Sequence, residues 1–150
     1  MSKITIFSSD SGGHKFIVPI MEAWQKEGHE VQLLNNYGPT DADVYFFDFC
    51  DNNLISATRD NKDDLRGKKV IARLHAIEYY MGFHHAIDWS QVSDLIFVSD
   101  HLRRFCGELP VRTHVIHNGI DMDKMIFKER QNGLVIGYAG NIVPAKGNLS

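Results

Sequence analysis

The sequence predicts an α/β fold: a Rossmann-like, mostly parallel β-sheet flanked by helices. Three observations predict it. Short runs rich in Ile, Val, Phe and Thr recur along the chain, six of them before Asn118. Segments with helical spacing or polar character separate them. The run 43–49 carries the unbroken apolar stretch Val44-Tyr45-Phe46-Phe47 between Asp43 and Asp48, as expected of a strand buried on both faces.

Each element follows in order. Residues 3–8 alternate and are rich in Ile, Thr and Phe, so they read as a strand. The stretch Ser9-Asp10-Ser11-Gly12-Gly13 breaks the pattern. From His14 to Glu27 the apolar residues Phe16, Ile17, Ile20, Met21 and Trp24 fall at helical spacing, with Lys15, Glu22, Gln25 and Lys26 opposite. Pro19 fits that helix only in its first turn or as a kink, and Gly28 stops it. Residues 30–34 form a second strand, completing a βαβ-like unit. After the buried strand 43–49, residues 53–66 make a weak, polar helix. Residues 70–74 are a strand, and the aromatic-rich 75–93 a loop with a short helix. Residues 95–98 are a strand, 99–105 a short helix, and 112–117 the sixth strand, closed by the turn pair Asn118-Gly119. The polar stretch 122–133 reads as a linker and 134–139 as one more strand. A strand and a Gly-containing loop cannot form a core alone. Residues 133–150 are therefore expected to open a truncated second domain.

Composition narrows the function. A chain of 150 residues buries roughly 70% of its unfolded surface, so a core needs no staples. Sixteen basic against nineteen acidic residues give a net charge of −3. There is no basic surplus for a phosphate backbone, so no nucleic-acid partner is expected. No apolar run approaches the ~18 residues of a membrane span, and no basic amphipathic helix argues for membrane association. Met1-Ser2-Lys3 leads straight into a strand rather than a signal segment. Cys50 and Cys106 lie in or beside apolar runs and read as buried free thiols of a reducing compartment. A cytoplasmic location is expected.

Ligands of open α/β sheets bind beyond the carboxyl ends of the strands, and four places there stand out. The loop Asp10-Ser11-Gly12-Gly13-His14 is either a plain turn capped by Ser11 or a close approach to an anion at a helix N-terminus. The dinucleotide pattern G-x-G-x-x-G is absent. His75, at the end of its strand, can act as acid, base or hydrogen-bond donor, or serve structure alone. With Glu78, His84 and His85 it makes four metal-capable residues, but no C-x-x-C or H-x-x-x-H accompanies them, so no metal is expected. His117-Asn118-Gly119-Ile120-Asp121 is a turn. In 140–147, Lys146 beside glycines offers a phosphate contact without the order of a P-loop.

Taken in order, these elements resemble the N-terminal half of GT-B glycosyltransferases, in particular glycosyltransferase family 4. The residues that carry the resemblance are Ser11-Gly12-Gly13-His14, Gly28-His29-Glu30-Val31, Ser93-Asp94-Leu95-Ile96-Phe97-Val98-Ser99, Val115-Ile116-His117-Asn118-Gly119-Ile120-Asp121 to Phe127, and Gly137-Tyr138-Ala139-Gly140-Asn141 to Lys146-Gly147. The resemblance covers nearly the whole chain. It implies an acceptor-side domain over 1–132 and, over 133–150, the start of a donor-binding domain whose Glu-x7-Glu motif is absent here. The implied reaction moves a sugar from a nucleotide sugar to an acceptor, with retention and without a metal or other cofactor. By the same resemblance His75 lies near the reacting sugar, Gly12, Gly13, Asn141 and Lys146 contact the donor, and His14, Glu78 and Tyr79 lie on the acceptor side. Asn141 replaces the family's arginine, which removes a cation and a bidentate donor. The isolated chain is expected to be inactive. Arg103 and Arg104 read as solvated.

Two other readings stay open. A stand-alone half could be a non-catalytic module that binds a glycan, a nucleotide or a partner protein, marked by an exposed apolar patch. A flavodoxin-like or receiver domain would use Ser8-Ser9-Asp10-Ser11-Gly12 as a loose phosphate loop, with Asp10 paired to Asp48.

Overall fold

The computed structural model describes residues 1–9 and 14–119, with the side chains of His14 and Lys15 left aside. These residues belong to a unit spanning Met1–Gly119. Six parallel strands form one sheet in the order β2-β1-β3-β4-β5-β6: β1 (Lys3–Phe7), β2 (Glu30–Leu34), β3 (Val44–Phe47), β4 (Lys69–Leu74), β5 (Asp94–Phe97) and β6 (Arg112–Val115). The helices are α1 (His14–Lys26), α2 (Asn52–Arg59), α3 (Ala76–Tyr80) and α4 (Asp100–Cys106). The α/β, Rossmann-like architecture is as the sequence predicts. The order reverses between β1 and β3. Such a switch point opens a crevice at the carboxyl edge of an open sheet.

Alternation along the strands sorts the core into two layers. Phe7, Tyr45, Phe47, Val70, Ala72, Leu74, Leu95 and Phe97 face one side, where Leu54 and Ala57 of α2 and Leu102 of α4 cover them. Ile4, Ile6 and Phe46 face the other, under Ile17, Ile20, Met21 and Trp24 of α1. The central strand β3 is aromatic on both faces: Phe47 stacks on Phe7 with ring centres 4.8 Å apart, and Phe46 meets Trp24 edge-on at 5.4 Å. Burying each such side chain stabilises the fold by ~1.5–3 kcal/mol. The outer strands are more open. Arg112, Thr113 and His114 of β6 are all exposed, a polar edge that discourages pairing with another sheet.

Several boundaries differ from the sequence expectation. Pro19 lies sixth in α1, past the first turn, so the helix tolerates one missing backbone donor because its apolar face is anchored by fully buried Ile17. The expected helix 53–66 is two pieces. The Asn61 side chain donates to the Ser56 carbonyl at 3.1 Å, closing α2, and a 3-10 turn follows at Lys62–Leu65. The ambiguous 75–93 is α3 followed by 3-10 turns at Phe83–His85 and Trp89–Gln91. Trp89 pins that segment by packing into the core and donating Nε1–H to the His84 carbonyl at 3.0 Å. Gly28, at φ +89°, ends α1 as expected. Cys50 is fully buried, whereas Cys106 is half-buried, and both are free thiols. Among the described residues no helix is long and apolar enough to cross a membrane. The expected boundary near Asn132, the linker and the strand 134–139 lie outside the described residues.

Candidate functional site

The carboxyl edge at the switch point is built over buried charge. Ser8 and Asp48 are fully buried and Arg73 is 6% exposed. They follow Ile6, Phe46 and Ile71 by two residues each, so all three point to the α1 face. The Ser8 hydroxyl donates to Asp48 Oδ2 at 3.0 Å, and Arg73 Nη2 donates to Asp48 Oδ1. The guanidinium carbon sits 6.0 Å from the centre of the Phe46 ring. Arg73 Nε has no partner among the described residues. A paired buried carboxylate and guanidinium are tolerated because each cancels most of the other's desolvation cost.

His75 stands directly above this pair. Its Nε2 lies 3.0 Å from the Asp48 backbone oxygen. A carbonyl only accepts, so the proton is on Nε2. The ring stacks on Phe49 with centres 4.6 Å apart. One side of the residue is held by α3: the His75 amide donates to Glu78 Oε2 at 3.0 Å, the return half of a capping box. Glu78 is 2% exposed. Burial, the largest influence on it, pushes its carboxyl above the ordinary range, against the opposing pull of backbone donors and His75. Its Oε1 has no partner among the described residues. Glu78 therefore positions His75 from below and does not face solvent.

The aromatic segment after His75 is mostly spent on packing. Tyr79 stacks on His84 at 4.9 Å and donates its hydroxyl to the Phe105 carbonyl at 3.2 Å. His84 is buried, and burial lowers its pKa. Tyr80 is the ring left in the open, 78% exposed, beside Ile77 at 58% and Met81 at 60%. Among the described residues no group of three or more His, Cys, Asp or Glu is placed to hold a metal ion.

A second feature lies on the β2 side of the switch point. The residues that follow β1, β2 and β3 line a pocket of about 280 Å³: Ser9, Asn35, Asn36, Asp51, Asn52 and Asn53. Asp51 caps α2 by accepting from the Asn53 amide at 2.9 Å. Burial raises its pKa, while the hydrogen bonds to Asn53 and Ser9 pull the other way. Asn53 braces the wall, accepting from the Tyr37 amide at 2.8 Å and donating to the Asn35 carbonyl at 3.1 Å.

The structure thus brings His75, Glu78 and Tyr79 to one edge, with Glu78 and Tyr79 turned inward. Gly12, Gly13, Asn141 and Lys146 lie outside the described residues, as does the side chain of His14. Asp10 is outside them too, and Asp48 takes Ser8 and Arg73 as its partners. Ser8 spends its hydroxyl on Asp48, so it is no free donor for a phosphate loop. Arg103 and Arg104 are exposed and pair with Asp100. Reading the sequence missed the Asp48–Arg73 pair and the asparagine pocket. An Arg inside an apolar strand and the doublets Asn35-Asn36 and Asn52-Asn53 after predicted strands were the available signals. Comparisons of the chain with families of proteins, with curated proteins and with solved structures find no match.

Proposed function

We propose that this chain is the acceptor-side part of a retaining, metal-independent glycosyltransferase that acts in the cytoplasm on a nucleotide sugar. The observation that carries the reading is His75. It sits at the carboxyl end of β4 beside the switch point, with its tautomer set by the Asp48 carbonyl and its backbone held by Glu78. With its Nε2–H spent on the Asp48 carbonyl, His75 offers a rigidly held ring rather than a free donor to a sugar at this edge. The bond from the anomeric carbon to the diphosphate breaks, a bond to the acceptor oxygen forms, and the acceptor hydroxyl gives its proton to the departing diphosphate. Negative charge builds on the leaving diphosphate, and fixed donors aimed at such charge are usually the largest catalytic contribution. Gly12 and Gly13 would approach that diphosphate from this side. By the resemblance to family 4, Lys146 and Asn141 would contact it as well. By the same resemblance His14, Glu78 and Tyr79 would belong to the acceptor side, Glu78 and Tyr79 through packing rather than direct contact.

A second reading is favoured by a different observation. Ile77, Tyr80, Met81 and Phe105, on α3 and α4, are each more than half exposed. An apolar surface of this kind suits a non-catalytic module that docks a partner. The coding frame beyond Ser150 separates the two. The transferase reading expects it to continue into a second α/β domain with a Glu-x7-Glu pair. A stop codon at that point removes the transferase and leaves the module.

A further inference from the structure

We propose that the asparagine pocket on the β2 side of the switch point binds a neutral, vicinally hydroxylated ring, one sugar unit of the acceptor. The inference deepens the transferase reading and rests on it for calling that sugar the acceptor. The chemistry of the walls selects the ligand class. The lining holds four side-chain amides, one hydroxyl and one carboxylate. Each amide carries two N–H donors and a carbonyl acceptor, while the Ser9 hydroxyl is engaged with Asp51. Among the described residues no Lys, Arg or His contributes to the lining. An anionic ligand would meet the Asp51 carboxylate with no cation to offset it. Among the described residues no aliphatic or aromatic side chain contributes either, so there an apolar ligand would strip water from amides and return nothing. Neighbouring hydroxyls satisfy both constraints: each donates and accepts, and a pair of them matches the fork of an amide.

The pocket is also built to stay open. Asn53 is committed to the wall at both ends of its amide. The side-chain amides of Asn35, Asn36 and Asn52, by contrast, make no hydrogen bond to protein among the described residues. All three are exposed, so a polyol can hydrogen-bond to them in exchange for bulk solvent. At about 280 Å³ the space lies just under the ~300–1,000 Å³ typical of drug-sized ligands. That is the scale of one ring rather than of a whole nucleotide. A pyranose and the ribose of a nucleoside share this chemistry.

The test is a titration of the isotopically labelled chain followed by the side-chain NH₂ resonances of Asn35, Asn36 and Asn52. The probes are the methyl pyranosides of glucose, mannose and galactose, uridine as the ribose source, and inorganic phosphate. The expected result is saturable shifts of these resonances with at least one neutral probe below about 50 mM. The Asn36→Ala/Asn52→Ala double variant should bind that probe at least tenfold more weakly. Both positions are exposed, so backbone resonances elsewhere should stay in place and report an intact fold. A response to a pyranoside assigns a sugar acceptor, and a response confined to uridine reassigns the pocket to ribose and overturns the acceptor part. No saturable shift with any neutral probe, or a stronger response to phosphate, overturns the proposal. Because binding is read without turnover, sugar binding without transfer by the full-length protein would sink the transferase reading alone. Transfer without these shifts would sink the pocket alone.

Discussion

Removing the Arg73 guanidinium while keeping its stem isolates the buried charge pair under His75. Arg73→Met keeps a flexible apolar chain over Phe46 and deletes the donor to Asp48. Asp48, fully buried, is then left ionised with the Ser8 hydroxyl at 3.0 Å as its remaining side-chain donor among the described residues. Breaking a buried pair by removing one partner costs about 3–5 kcal/mol. Asp48→Asn keeps the shape and the Ser8 contact but leaves Arg73 buried and charged, with Nε already unpartnered, and should cost a similar amount. The double variant buries no net charge and should lie within about 2 kcal/mol of the wild type, since neutral replacements of buried pairs are often tolerated. Urea unfolding provides the assay. With a slope of ~1–3 kcal/mol per molar for small proteins, a 3 kcal/mol loss moves the midpoint by about 1–3 M. A single-variant cost below about 1 kcal/mol would refute the reasoning. So would a double variant as unstable as the sum of the two singles, because the cycle would then show no coupling.

Other perturbations probe other links. Glu78→Gln should stabilise the protein by about 1 kcal/mol at pH 7, because it removes a buried carboxylate with an unsatisfied oxygen. The sign follows from the raised carboxyl: protonated Glu78 contributes fully below its ordinary range near ~4.3, and that contribution is lost as pH rises through the higher folded value. The gain over wild type in thermal midpoint should therefore shrink to nothing as pH falls to about 4, and a constant gain would contradict it. Leu54→Ala, at a fully buried α2 position, should cost about 2–5 kcal/mol in urea. A smaller loss would mean that α2 is not anchored by that side chain. Gly28→Ala forces a side chain into φ +89° with open space around its Cβ, so the cost should be conformational, about 1–2 kcal/mol. A loss much beyond that would point to a clash that the geometry does not contain.

The strands were legible because their signals are local. The alternation of 3–7 and the apolar run around Phe46 and Phe47 report burial directly, and all six strands lie where those patterns fall. Strand order was not legible: nothing within Glu30–Leu34 says that it pairs with β1 on the far side from β3. The segment 75–93 resisted reading because its aromatic residues serve different surfaces. Trp89 packs inward, Tyr79 lies against His84, and Tyr80 faces solvent, so no single period emerges. His75 was visible from its place at a strand end. Its environment was legible only in part: Glu78 stands at the N3 spacing of a capping box, whereas Asp48 reaches it across the sheet. The asparagine pocket is assembled from three loops that converge only at the switch point.

Turnover of nucleotide sugars by the native full-length protein, measured as nucleoside diphosphate release, tests the proposed role of His75 most directly. Wild-type protein should release diphosphate from at least one nucleotide sugar when an acceptor is supplied. His75→Ala should lower that rate by about 100-fold, the scale of a lost positioning contact. The two are compared without urea, where both proteins are folded, because losing the Phe49 stack and the bond to the Asp48 carbonyl also lowers the urea midpoint. No release across the nucleotide-sugar panel, or a His75→Ala protein that turns over at the wild-type rate, would contradict it.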